Sequence, residues 1–358
     1  MCGLTALLAV SSGGAATESA GGAWLRVAGG RICDENGGTV SLRGVNLGLY
    51  HGEPFDYRET DFQRIHQWGF NAVRIPVRWD RMEPRPGTYD GKYLAALDRY
   101  VAWAGDNGLW VVLCLFGWPP AWAQDAADRQ SYAPPAASPE ARWIPWVWTR
   151  PGFYLGKRDA HTRFVAVWTK LARRYRDNPR VCLYELLTEP ERTGHLAAKQ
   201  EEDLVYSLYE RALGAIREID QKHLVGYMPV GLENIGQSLG FRPIAAPNVC
   251  VTYHFYIHEY DYWRDPRPQR LKRPFARMYE QAQRAGLPLV VTEFGCNQEP
   301  AKAVSWIRDV VAMWKEYRVG YFWWCYMKTE RPLGLLDSRG RVRRYLLELL
   351  TAPGPGAP

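Results

Sequence analysis

Short apolar runs alternate with stretches whose apolar residues recur at helical spacing, over most of the chain. The runs are VNLGLY (45–50), NAVRIPV (71–77), LWVVLCLFG (109–117), VCLYELL (181–187), HLVGYM (223–228), NVCVTYHFY (248–256), LPLVVTEFG (287–295) and VGYFWWCYM (319–327). Most are almost continuously apolar, which predicts strands covered on both faces. Between them, ETDFQRIHQWG (59–69) spaces Phe62, Ile65 and Trp68 as one helical face and stops at Gly69. Further helices are predicted over 92–108, 161–179, 201–220, about 275–285, 302–317 and 343–350.

Eight strand–helix units predict an α/β fold, a (β/α)8 TIM barrel. An open doubly wound sheet is the alternative, but VNLGLYHGE lacks the glycine-rich fingerprint that such sheets carry after their first strand. Before the first unit, WLRVAGGRIC and DENGGTVSLRG alternate around Gly-Gly and Asn-Gly-Gly, the pattern of a small hairpin able to cap the barrel floor. The division expected is a signal-like or disordered segment over 1–22, a catalytic barrel over 23–351 and a flexible tail over 352–358.

One connection breaks the rhythm. From Gly117 to Asp159 there is no strong periodicity, and the stretch holds Trp118, Trp122, Trp143, Trp146 and Trp148 among many prolines. It leaves the C-terminal end of the third barrel strand, where barrel active sites form. An aromatic wall beside a cleft is expected there, against the alternative of a lid packed for stability.

Composition narrows the partners. The 16 Trp and 21 Tyr supply flat rings with a polar edge, which suit sugars as well as cores. The net charge of +7 is spread along the chain, and no groove-reading helix or RNA-stacking motif accompanies it, so nucleic acid is not expected as a partner. The seven cysteines form no CxxC, which disfavours zinc-ribbon and thioredoxin-type sites, and an odd count disfavours a disulfide framework. Cys114, Cys182, Cys250 and Cys325 lie in the strand-like runs as small apolar residues. No run reaches the length of a membrane span. Leu4–Val10 followed by small residues resembles a secretory signal without its basic start, so a secreted or extracytoplasmic location is expected, with a cytoplasmic one as the alternative. A monomer is expected.

The chemistry lies at two strand ends. YELLTEP finishes the fourth barrel strand with Glu189, and VVTEFG finishes the seventh with Glu293. An unpaired buried carboxylate is costly, so two of them converging on one barrel mouth call for a use. Carboxyls roughly 5–5.5 Å apart perform retaining glycoside hydrolysis.

At this point the chain resembles glycoside hydrolase family 5, in the group of barrel glycosidases with the acid/base on strand four and the nucleophile on strand seven. The matching pieces are LRGVNLG, GFNAVRIPV with Arg74, YELLTEP, YHFY with His254 and Tyr256, TEFG, and GYFWWCYMK, in order from Leu42 to about Asp337. The resemblance implies Glu189 as acid/base with a raised pKa and Glu293 as an ionised nucleophile held by Arg74. It implies that Tyr256 donates to Glu293 or to the developing ring charge. His254 would bond a substrate hydroxyl or orient Glu189. Trp324 would stack on the sugar, with Trp323 as the competing candidate because neighbouring strand residues face opposite ways. Glu185 reads as a buried, paired carboxylate outside catalysis, and Asn46 as a fixer of local backbone. No cofactor or metal is implied.

Two positions depart from the family pattern. Thr188 stands where the family has the Asn that bonds the sugar 2-hydroxyl, and a single hydroxyl lacks the amide's reach. Near Cys114 and Phe116 the family has an acidic residue and a His; Phe116 cannot hydrogen-bond a sugar. Arg74, Thr188, His254, Tyr256, Trp324, Phe116 and Trp118 are therefore the expected substrate-binding set around Glu189 and Glu293. The expected function is retaining hydrolysis of β-linked glucan- or mannan-type poly- or oligosaccharides. An endoglycosylceramidase-like or exo-acting enzyme is the first alternative, because RMEPRPGTYDGKYLAALDRYV resembles such members. A carbohydrate-binding barrel with little turnover is the second.

Overall fold

The computed structural model describes residues 24–48, 57–116, 158–190, 197–231, 241–256, 267–296, 300–328 and 333–352. The signal-like segment, most of the tail and the Trp-rich stretch 117–157, with Trp118, lie outside them; Arg158 and Asp159, which closed that stretch, belong to a helix.

The chain opens with β1 (Arg26–Ala28) and β2 (Arg31–Cys33), an antiparallel pair. Gly29 and Gly30 turn it with φ of 55° and 70°, a left-handed turn that suits glycine. Then follow β3 (Arg43–Asn46), α1 (Glu59–Gln67), β4 (Ala72–Arg78), α2 (Trp79–Met82), α3 (Gly91–Asp106), β5 (Trp110–Phe116), α4 (Arg158–Tyr175), β6 (Val181–Glu185), α5 (Ala198–Arg217) and β7 (Leu224–Tyr227). The order closes with β8 (Val249–Phe255), α6 (Pro268–Arg284), β9 (Leu289–Phe294), α7 (Pro300–Tyr317), β10 (Gly320–Trp323) and α8 (Arg344–Thr351). Strands β3 to β10 pair in parallel around a closed barrel in chain order, with β10 returning to β3. This is the (β/α)8 barrel.

Strand alternation divides the core. Val73, Ile75 and Val77 of β4 pack outward with the helices, whereas Ala72 joins the barrel interior. The floor is filled by residues from successive strands, among them Trp110, Val112, Leu183, Cys250 and Phe322. Leu25 and Ile32 from the hairpin pack on this floor, so the hairpin caps it as expected. Gly44 permits one close approach: a Cβ there would lie 2.5 Å from the Phe322 ring and 2.6 Å from the Ala72 carbonyl.

Helix α6 begins at Pro268, ahead of the stretch expected near 275. Its first two turns carry two prolines, which weaken any helical pattern, but Pro268 sits at the tolerated first turn. Leu271, Phe275, Met278 and Ala282 then bury one face. The cysteines Cys33, Cys114, Cys182, Cys250, Cys296 and Cys325 are all buried and free. Among the described residues no helix is long and apolar enough to cross a membrane.

Candidate active site

The C-terminal ends of β4, β6, β8 and β9 bring one polar cluster together above the floor. Arg74, two residues after Ala72 on the inward face of β4, is fully buried. Its Nη1 donates to Glu293 Oε1 at 2.5 Å and to Asn46 Oδ1 at 2.8 Å. Its Nε donates to Glu185 Oε2 at 2.5 Å, and its Nη2 donates to Thr188 Oγ1 at 3.0 Å. Burial works against the charge of Arg74, but the adjoining carboxylates of Glu185 and Glu293 overcome this and raise its pKa; the guanidinium stays cationic.

A register shift aims the nucleophile candidate. The pairing of β8 with β9 slips between Tyr253 and His254, so that Tyr253 faces Val291 while His254 faces Glu293. Val291 and Phe294 pack in the outer layer. Thr292 and Glu293 between them both reach the inner polar cluster, Thr292 to Glu185 and Glu293 to Arg74. Such irregularities re-aim side chains beside functional sites.

Glu189 is delivered differently. Leu186 packs outward, its carbonyl accepting from Trp168 Nε1 at 3.0 Å. Two residues beyond it, Thr188 reaches Arg74. Glu189 itself adopts φ 48°, a left-handed backbone that a residue other than glycine rarely takes. This bend sends its carboxyl to His254, whose Nδ1 lies 2.7 Å from Glu189 Oε1. An ionised Glu189 makes Nδ1 the donor; a protonated one makes it the acceptor. His254 Nε2 lies 3.5 Å from Glu293 Oε1 without hydrogen bonding it. Tyr256 donates its phenolic proton to Glu293 Oε2 at 3.1 Å. Burial, then Glu293 and Glu189, push the Tyr256 pKa well up, so the phenol remains a neutral donor.

Glu189, His254 and Glu293 offer oxygen and nitrogen atoms that all lie within 4.8 Å of one another. Arg74 already holds Glu293, and His254 already bonds Glu189. The arrangement is thus a hydrogen-bonded carboxylate pair beside a fixed cation, suited to proton transfer and nucleophilic attack rather than to a metal ion.

The electrostatics differ from the expectation in one respect. A raised pKa falls on Glu293. Burial is the main cause, Glu189 adds to it, and His254 and Arg74 oppose it. The Glu293 side chain is 5% exposed and that of Glu189 19%, so Glu293 bears the heavier desolvation.

Other expected residues fall into place unevenly. Trp323 is fully buried in the outer layer, edge-on to Phe294 at 5.2 Å, with its Nε1 donating to the Leu333 carbonyl. Trp324 is half-buried just beyond β10, its backbone N–H donating to the Phe294 carbonyl at 2.8 Å. Phe116 ends β5 opposite Arg78, and its side chain lies outside the described part of the structure. Asn46 does more than fix local backbone: its Nδ2 donates to the Thr292 carbonyl at 3.0 Å, tying β3 to β9. Glu185 is held by Arg74 and by Thr292 Oγ1 at 2.8 Å, a cross-barrel role that sequence spacing does not announce.

The family model for cellulase (glycosyl hydrolase family 5) matches residues 33–330. The chain belongs to glycosyl hydrolase family 5. This family 5 chain is 20% identical over 389 residues to the endoglycoceramidase of Cyanea nozakii, a match covering 91% of this chain and 75% of that protein. It is 27% identical over 199 residues to the probable glucan 1,3-beta-glucosidase A of Aspergillus niger, covering 55% of this chain but 42% of that protein. Among solved structures, an endogalactoceramidase superposes with a TM-score of 0.75 at 24% identity, covering 92% of this chain and 84% of that one. At that identity the superposition establishes the barrel fold.

Proposed function

We propose that this family 5 chain is a retaining β-glycoside hydrolase that acts on β-linked glucan- or mannan-type saccharides through a covalent glycosyl–Glu293 intermediate. The observation that supports it is the Glu189–Glu293 pair across the mouth, with carboxyl oxygens within 4.8 Å and Arg74 and Tyr256 both donating to Glu293. One oxygen of each carboxyl lying within 4.8 Å of the other supports the retaining spacing of roughly 5–5.5 Å over the roughly 6.5–9.5 Å of inverting pairs. Glu293 attacks the anomeric carbon while Glu189 protonates the departing oxygen. Glu189 then takes a proton from water, which releases the sugar from Glu293. His254, bonded to Glu189, orients it for both transfers. Trp324 is the half-buried ring proposed to stack on the sugar.

A second reading concerns the substrate. Release of a glycan from a ceramide-linked glycolipid is supported by the Cyanea nozakii endoglycoceramidase, which matches nearly the whole chain, whereas the glucosidase relative matches about half. Incubation of the purified protein with β-glucans, β-mannans, aryl β-glycosides and glycosphingolipid micelles, alongside Glu293→Gln, tests both. Product from the wild type and none from the variant upholds the reaction, and the productive substrate selects between the two readings. Equal product from both proteins refutes the mechanism.

A further inference from the structure

Glu185 lies outside the two-carboxylate chemistry, yet it is fully buried with both oxygens bonded. Oε2 accepts from Arg74 Nε at 2.5 Å, and Oε1 accepts from Thr292 Oγ1 at 2.8 Å. The first partner is the cation that also holds Glu293; the second is Glu293's neighbour in the chain. One guanidinium therefore stands between two buried carboxylates at equal distances of 2.5 Å.

We infer that Glu185 is a positioning residue that fixes the direction of Arg74 and limits how much of its charge serves Glu293. The inference rests on the nucleophile role proposed for Glu293. Gripping Nε sets the plane of the guanidinium, because Nε and the two Nη atoms are coplanar. The two N–H bonds of Nη1 are then aimed at Glu293 and Asn46. The electrostatic effect has the opposite sign to simple support. A lone carboxylate facing Arg74 would be deeply stabilised as an anion and would be a poor nucleophile. A competing carboxylate on the same cation weakens that stabilisation and keeps Glu293 basic enough to attack. Thr292 keeps Glu185 in place by donating to its other oxygen, and it sits on the same irregular stretch of β9 that presents Glu293.

The groups that bear on this balance come from β4, β5, β6 and β8 and from the residues that follow β6, β8 and β10. Arg74 stands on β4 and Cys114 on β5. Glu185 is on β6, and Glu189 follows it. Cys250 and His254 are on β8 with Tyr256 beyond, and Cys325 follows β10. Burial pushes all three thiols up, so none contributes charge near neutrality. Of these groups, Glu185 is the carboxylate that shares Arg74 with Glu293.

The test is a substrate-free titration of Glu293, followed by NMR of protein carrying 13C-labelled glutamate side chains and assigned with Glu293→Gln. Glu185→Gln removes the charge; its amide oxygen can still accept from Arg74 Nε, while its NH2 donates to the Thr292 hydroxyl, reversing that bond. Its expected result is a Glu293 midpoint lower by about 1 pH unit, since Arg74 then serves one anion. Thr292→Val removes one donor from Glu185, which leans harder on Arg74, so the Glu293 midpoint is expected to rise. Wherever the protein turns over substrate, the acid limb of kcat/KM moves in the same directions. A midpoint that stays put in both variants, or moves opposite to these signs, overturns the inference. If Glu185→Gln does not fold, Thr292→Val decides alone. Because the titration needs no turnover, failure of the glycosidase reading shows up separately, as missing product with the titration shifts intact.

Discussion

The Thr188 hydroxyl accepts a hydrogen bond from Arg74 Nη2 at 3.0 Å, and its own proton is directed at the Leu115 carbonyl at 3.4 Å. At 1% exposure this hydroxyl spends its donor and one acceptor site inside the protein. Where the family pattern has an Asn that reaches the sugar, this chain has a residue that faces the guanidinium. We propose that Thr188 serves with Glu185 and Asn46 around Arg74, leaving contact with the sugar 2-position to other groups.

Thr188→Val tests this arrangement, because it keeps the shape and removes the hydroxyl. Taking one acceptor from a buried guanidinium is expected to cost about 1–3 kcal/mol of stability. It is also expected to lower kcat with little change in KM, because the loss acts through Arg74 and Glu293. Thr188→Ser should restore both. Urea unfolding and steady-state kinetics on the three proteins provide the comparison. An effect confined to KM would return Thr188 to the substrate-binding set.

The raised carboxyl of Glu293 makes a signed prediction about pH. A carboxyl whose folded pKa exceeds its unfolded value binds protons more readily in the folded state. The stability it contributes is fully present below the unfolded value near 4.5 and is lost as pH rises through the folded value. The unfolding free energy of the wild type minus that of Glu293→Gln should therefore fall as pH rises through this window. Denaturation series from about pH 4 to about pH 8 measure it. A difference that grows with pH would mean a depressed pKa.

Trp323 and Trp324 are adjacent but predict opposite phenotypes. Trp323→Ala empties a site in the outer layer and should cost about 3–5 kcal/mol of stability. Trp324→Ala should leave thermal unfolding nearly unchanged and weaken saccharide binding. Calorimetric unfolding and saccharide titration distinguish them, and equal destabilisation would remove Trp324 from the proposed sugar platform.

Glu189 as acid/base carries a leaving-group prediction. Glu189→Ala should lose roughly 10²–10⁴-fold on an alkyl glycoside, whose oxygen needs a proton to depart. It should lose far less in the first step with a dinitrophenyl glycoside, whose leaving group needs none. Added azide should then restore turnover by attacking the glycosyl–enzyme in place of activated water. Uniform loss across leaving groups, without azide rescue, would deny Glu189 this role.

The barrel was legible because its strands are buried on both faces, which writes them as unbroken apolar runs such as LWVVLCLFG and LPLVVTEFG. Glu189 and Glu293 were legible because a carboxylate ending such a run breaks the pattern. Glu185 was visible as an odd residue, but its partners Arg74 and Thr292 come from other strands, and closure of the barrel alone makes them neighbours. The same holds for Asn46. The redirection of Thr188 was hidden for a related reason: residue type gives hydrogen-bonding capacity, whereas the direction of a hydroxyl depends on which strand stands opposite. The slip between β8 and β9 that turns Thr292 and Glu293 inward leaves no mark in VVTEFG. The start of α6 was obscured by its two prolines, although the buried face from Leu271 to Ala282 keeps helical spacing. Phe116 and Trp118 keep the roles expected of them as proposals.

The most direct test of the central claim is the stereochemistry of hydrolysis. Proton NMR of the first sugar released from a productive β-glycoside, recorded before mutarotation, reads it directly. The close Glu189–Glu293 pair predicts that the β-anomer appears first. An α-anomer appearing first would contradict the double displacement and the role given to Glu293.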